Sequence, residues 1–190
     1  MATHIAHETQ LTPGDESAMN YLAPHWYAAY TSANHEKRVA EQLAQRSVEH
    51  FLPLYETVRR WKDRRVRLQF PLFRGYVFVR LALRDRLQVL QVPGVSRLIG
   101  FKSAPTPLKE QEIEALKKGL LYGLHAEPHP FLTAGRRVRI KAGPFEGMEG
   151  ILIRRKGKLR LVLSIDVILR AIAVDVDVVD VEPAVQSGPL

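Results

Sequence analysis

No helix can run through Val138–Gly150, which reads VRIKAGPFEGMEG. Gly143, Pro144, Gly147 and Gly150 interrupt it, and inside a helix each glycine costs about 1 kcal/mol and a proline about 3 kcal/mol. The flanks alternate apolar and basic residues, Val138 and Ile140 against Arg137, Arg139 and Lys141, the period-two pattern of a strand. The segment is therefore a tight hairpin. Its surroundings repeat that pattern, predicting short strands over Arg137–Lys141, Gly150–Arg154, Leu159–Ile165, Ala171–Val176 and Val178–Glu182. Short strands at this spacing, with no helical period between them, imply a small β-barrel.

The chain upstream of the barrel is patterned differently. Trp26–Thr31 reads as a buried strand, and Ser32 or Asn34 can cap a helix over His35–Ser47. Val39, Ala40 and Leu43 form its apolar stripe, while Arg38, Gln42 and Arg46 share a solvent-facing side. Phe51–Trp61 and Val66–Phe70 are predicted strands joined by the basic tip Lys62–Arg65. Arg74–Leu83, RGYVFVRLAL, alternates most regularly of all. A short helix over Asp85–Gln91, a turn at Val92–Gly94 and a strand over Val95–Phe101 follow. Leu108–Leu121 closes the unit as a helix with Ile113, Leu116, Leu120 and Leu121 at helical spacing. This order predicts an α+β domain, an antiparallel sheet flanked by helices, over residues 24–122. Residues 1–23 are expected to be a disordered leader, 123–133 a linker marked by Pro128 and Pro130, 134–183 the barrel and 184–190 a tail.

Charge narrows the range of partners. The net charge is +8, which favours a polyanion, and the excess is localised. Arg59, Arg60, Lys62, Arg64, Arg65, Arg67, Arg74 and Arg80 face only Asp63 across that stretch. The absence of cysteine excludes disulfides and thiolate metal sites. No signal-peptide pattern or long apolar run is present, so a cytoplasmic protein without a membrane partner is expected.

Two segments carry a family resemblance. The Gly135–Ile153 unit resembles a KOW motif, the hairpin that opens an SH3-like barrel. WYAAYTSANHEKRVAEQL (Trp26–Leu43) and PLFRGYVFVR (Pro71–Arg80) resemble the N-terminal domain of NusG-type transcription elongation factors. The likeness spans Trp26 to Glu182, and the motifs HEKRVAEQL, PLF-GYVFV and RAIAVDVDVVDVEP are most similar to RfaH-like, polysaccharide-operon antiterminators.

The resemblance implies a non-catalytic role. Such proteins dock their first domain on the clamp of bacterial RNA polymerase and suppress pausing or termination. Carried onto this chain, the polymerase-binding residues are Phe73, Arg74, Tyr76 and Phe78, an exposed aromatic group, although core packing would account for these aromatics equally well. Arg38, Gln42, Arg46, Lys62, Arg64 and Arg65 match the positions that contact the non-template DNA strand, and guanidinium groups suit phosphate, guanine edges and unpaired bases. A solvated charged face is the plainer reading of both groups. Ile168, Leu169 and Arg170 are the partner patch of the barrel, for a ribosomal protein or termination factor Rho; for Ile168 core packing competes. Two departures bear on these assignments: Arg74 stands where the family usually has proline, and Leu169 where relatives commonly carry glycine. A monomer without cofactor is implied.

Other classes fit less well. Gly143, Gly147 and Gly150 lack the GK[ST] ending and following helix of a phosphate loop. His125 and His129 have no third ligand, and Val39 replaces the second histidine of an HExxH motif begun by His35–Glu36. Asp175, Asp177 and Glu182 read as a strand edge rather than an acid–base pair. With no nucleophile–base set, an enzyme is not expected. A ribosome-associated RNA-binding KOW protein is the alternative, and the α+β domain argues against it.

Overall fold

The computed structural model describes residues 21–61, 64–101, 104–123, 125–129, 135–155, 158–177 and 180–184. Residues 1–20 of the expected leader and 185–190 of the expected tail lie outside the described residues.

The first domain is built around one antiparallel sheet. β1 (His25–Thr31) leads into α1 (Glu36–Gln45), which is followed by β2 (Glu49–Phe51). β3 (Leu54–Trp61) and β4 (Arg64–Pro71) form a two-stranded ribbon of their own. β5 (Tyr76–Leu81), α2 (Leu87–Leu90), β6 (Val95–Leu98), the small hairpin β7 (Gly100–Phe101) and β8 (Ala104–Pro105), and α3 (Glu110–Leu121) complete the domain. The main sheet runs β2-β5-β1-β6.

β5 explains the layering. Alternate side chains of a strand point to opposite faces, and both faces of β5 are buried. Val77, Val79 and Leu81 pack with Tyr27, Ala29, Val39, Leu43 and Val89 beneath α1 and α2. Tyr76 and Phe78 share the other cluster with Trp26, Leu72, Phe73, Ile113 and Leu116, the last two from α3. Each fully buried side chain of this size stabilises the fold by about 1.5–3 kcal/mol. Lys117 of α3 stands 4.2 Å from the centre of the Trp26 ring, covering apolar surface with a cation–π contact.

Several expected boundaries shift. The strand read over Phe51–Trp61 breaks at Leu52–Pro53, so that β2 joins β5 while β3 leaves to pair with β4. Pro53 has no N–H to continue a ladder, and its carbonyl instead accepts the Leu72 N–H at 2.9 Å. Neither Ser32 nor Asn34 caps α1: the cap position is His35, without a side-chain cap bond. The acid of that first turn has a different task. The buried carboxylate of Glu36 accepts the N–H of Gly75 at 2.7 Å, and Gly75 holds φ +82°, a conformation open to glycine. Leu121, expected on the apolar stripe of α3, is 84% exposed.

The second unit is all β. β9 (Ala126–His129), β10 (Arg136–Ile140), β11 (Glu149–Arg155), β12 (Lys158–Ile165), β13 (Arg170–Asp175) and β14 (Val181–Pro183) form one sheet in the order β14-β10-β11-β12-β13-β9. The glycine-punctuated segment is the β10–β11 turn, with Gly143 at φ +93° and Gly147 at φ +81°. β9 falls within the stretch read as a linker, and pairs with β13 of the barrel.

The two units pack together. One apolar cluster runs from the aromatic face of the first sheet into Val138, Phe145, Leu161, Ile168 and Ile172 of the barrel. Phe145, from the β10–β11 turn, seats its ring on Gly119 of α3, where an added Cβ would lie 2.2 Å from the ring. Glycine in mid-helix is unfavourable for helix formation; here it makes the notch that admits Phe145. Beside this contact a cleft of about 840 Å³ separates Lys109, at the cap of α3, and Glu112 and Lys118 within it from Arg137, Glu149 and Asp166 of the barrel. Burial pushes the Glu112 carboxyl above the ordinary glutamate range, Lys109 opposes the shift and Asp166 adds to it.

Two outcomes follow from this packing. Phe78→Ala should destabilise the first domain by about 3–5 kcal/mol, the range for truncating a buried phenylalanine, as measured by denaturant unfolding. Because Glu112 binds its proton more tightly in the folded form, its contribution favours folding below the ordinary glutamate range. That contribution should decline as pH rises through the window between the ordinary and the raised value. Thermal unfolding across about pH 4 to 7 should show the decline, and Glu112→Gln should flatten it.

Candidate functional site

The aromatic candidates are not exposed. Phe73, Tyr76 and Phe78 are all buried, with Phe73 edge-on to Phe78 at 5.6 Å and Tyr76 tilted against Tyr30 at 5.5 Å. The expected open aromatic group is thus closed over, because α3 and the barrel share its cluster. Arg74 is exposed in the turn before β5, a turn whose position is set by the bond from Gly75 to Glu36.

In the barrel, Ile168 is buried and Leu169 is 65% exposed. Leu169 adopts φ +50°, a left-handed conformation that costs an L-residue about 1–2 kcal/mol. Arg170 stands over the Tyr76 ring at 5.8 Å. Two surfaces that the sequence presents as separate, the aromatic strand and the barrel patch, therefore meet in the folded chain.

The basic candidates divide into two groups on different elements. On α1, Arg38 is exposed, and Gln42 donates a long 3.4 Å bond to the Arg38 carbonyl. Arg46 donates to the carbonyls of Gln88 at 3.2 Å and Gln91 at 3.5 Å, tying α1 to the C-terminal end of α2. That structural contact leaves Arg38 as the more open of the two arginines.

On the ribbon, register decides which side chains act together. Arg60 pairs with Arg65 and Val58 with Arg67, whereas Arg64 pairs with Trp61. Directly opposed residues share a face, so Arg60, Arg65 and Arg67 line one side of the ribbon and Arg64 belongs to the other. Lys62 lies outside the described residues. Arg60, Arg65 and Arg67 are exposed, and among the described residues no acid forms an ion pair with them. Like charges directly opposed weaken a strand pair, and an anion placed between them removes that penalty. Arg60 and Arg67 belong to the basic stretch of the sequence but not to its candidate nucleic-acid contacts, although period-two alternation along Val58–Arg60 and Arg65–Arg67 marks them.

The model of the family described as transcription termination factor nusG matches residues 24–117. The transcription termination/antitermination protein NusG of Lactococcus lactis is 31% identical over 172 residues, covering 83% of this chain and 91% of the relative. The Escherichia coli protein of that name is 28% identical over 174 residues, covering 84% and 96% respectively. Among solved structures, NusG of Thermotoga maritima superimposes with a TM-score of 0.55 at 22% identity, covering 86% of this chain and 98% of that one, which supports the fold. An α+β domain with a small all-β unit behind it, matched along nearly the full length of these relatives, places the chain among transcription factors rather than enzymes or ribosome-associated KOW proteins: it belongs to the NusG family of transcription termination/antitermination proteins.

Proposed function

We propose that this chain binds bacterial RNA polymerase through the aromatic face of its first domain, steadies the non-template DNA strand with its basic ribbon, and recruits a partner through its barrel. The observation that carries the first part is the way the aromatic face is closed. Part of its cover comes from a separate domain, across a contact that leaves an 840 Å³ charged cleft open beside it. A removable cover over clustered aromatics is what a docking face needs, since apolar anchors left exposed would associate non-specifically. The polymerase clamp would take the place of the barrel around Tyr76, with Phe73 and Phe78 holding that surface in shape and Arg74 at its rim.

The nucleic-acid reading rests on Arg60, Arg65 and Arg67, joined by Arg64 and Lys62 at the tip and by Arg38 on α1. Phosphate contacts of this kind position a strand without reading its sequence. Gln42 and Arg46 contribute by shaping α1. Ile168, Leu169 and Arg170 form the recruiting patch, with Leu169 as its exposed apolar point, toward a ribosomal protein or Rho. The protein acts as a monomer in the cytoplasm, where transcription occurs; among the described residues no helix is long and apolar enough to cross a membrane.

Two measurements test this reading. Gly119→Leu, which fills the Phe145 notch while remaining compatible with a helix, should tighten binding to core RNA polymerase. The gain is tenfold for about every 1.4 kcal/mol by which the closed contact had been favoured, and unchanged affinity in a titration would remove the docking face from under the barrel. Replacing Arg60, Arg65 or Arg67 by glutamine should lower the slope of log affinity against log salt for single-stranded DNA by about 0.7 per residue. Slopes equal to wild type would make the ribbon a solvated face.

A further inference from the structure

The connection between the two domains is shorter than its sequence suggests. α3 ends at Leu121 and β9 begins at Ala126, so only residues 122–125 are left to span the gap, a reach of about 15 Å when fully extended. β9 belongs to the barrel. It pairs antiparallel with β13, Ala126 opposite Val174 and His129 opposite Ala171, and it forms the outer edge of the sheet.

What holds β9 there is mainly polar. Arg160 of β12 is 6% exposed; its Nη1 donates to Oε1 of Glu127, and its Nε donates to Oδ1 of Asp175 at 2.8 Å. One buried guanidinium thus ties β9 to the far end of β13, and charge-assisted bonds of this kind are among the stronger ones available. Burial works against the charge on Arg160, and the carboxylates of Glu127 and Asp175 more than offset it. His125 adds a 3.7 Å contact to Glu127. The strand itself is short: β9 spans only Ala126–His129, Pro128 opposite Ile172 has no N–H to give the ladder, and Ala126 is the fully buried side chain of the four.

We infer that β9 is a clasp that sets the length of the tether between the domains. With Glu127 held by Arg160, the barrel stays within reach of the C-terminal end of α3, where its effective concentration over the aromatic face is high. When the clasp opens, the tether becomes the whole covalent stretch from Tyr122 to Gly135. Its extended reach is about 50 Å, and its root-mean-square span as a flexible chain is about 20 Å. The barrel can then move far from the surface it covers. The clasp goes beyond the polymerase reading and is measured on the free chain, so either can fail without the other.

The chain contains no cysteine, so two introduced thiols can be labelled without background. Leu121→Cys at the end of α3 and Asp177→Cys just beyond β13 bracket the tether at exposed positions. In the otherwise native chain, double electron–electron resonance should give distances below about 25 Å, including in the Gly119→Leu background where the domain contact is broken. Adding Glu127→Ala to that background should extend the distribution toward about 50 Å, with the barrel amide resonances still dispersed. Glu127→Gln should extend it in the same direction. A distribution that stays below about 25 Å in the Glu127 variants would overturn the clasp. So would loss of barrel dispersion, which would make β9 a strand the barrel needs in order to fold.

Discussion

A central strand buried on both faces has to be covered twice, and β5 sets that requirement for this molecule. On one side Val77, Val79 and Leu81 are covered within the domain, by α1 and α2. On the other, Tyr76 and Phe78 lie in a cluster that α3 does not finish and that continues into the barrel. Aromatic side chains bring the largest apolar area to such a face, and leaving part of it to another domain makes the cover separable. The same residues can then serve as core in one arrangement and as contact surface in another. The alternatives of docking face and core packing thus exclude one another only for a rigid chain.

Two polar devices hold this arrangement in place, and each rests on one buried charged side chain. Glu36 fixes the turn before β5 through Gly75, which sets where Tyr76 begins and where Arg74 emerges. Arg160 fixes β9 through Glu127, which sets how far the barrel can travel. Buried charges are tolerated only when hydrogen-bonded, so both are sensitive to loss of a partner in a way that surface ion pairs such as Arg80–Glu49 are not.

Much of this was legible in the sequence because it followed local periodicity. The period-two run at Arg74–Leu83 and the glycine-punctuated hairpin at Val138–Gly150 placed β5 and the β10–β11 turn, and the helical spacing of Ile113 and Leu116 placed α3. The misplaced features depend on what a side chain meets across the fold. Pro53 splits one expected strand because the two halves pair with different partners. Leu121 continues the helical spacing of α3 yet ends in solvent, because that spacing runs past the surface the helix covers. Gly119 looks like a weakness in α3 until Phe145 is seen to occupy the space it leaves. β9 was read as linker because prolines at Pro128 and Pro130 outweigh a four-residue strand in any local reading; its pairing depends on Arg160, over thirty residues downstream in the chain.

The ribbon shows why charge has to be read through register. As a composition feature, the arginines between Arg59 and Arg67 form a single basic patch. Strand pairing sorts them: Arg60, Arg65 and Arg67 share one exposed side, while Arg64 belongs to the other. Arg60 and Arg65, directly opposed on a two-stranded ribbon, weaken its pairing in isolation. The same placement lowers the reorganisation required to bind a phosphate chain, since the donors already share a side. The ribbon stands apart from the main sheet, so the electrostatic and aromatic surfaces of the first domain lie on separate elements.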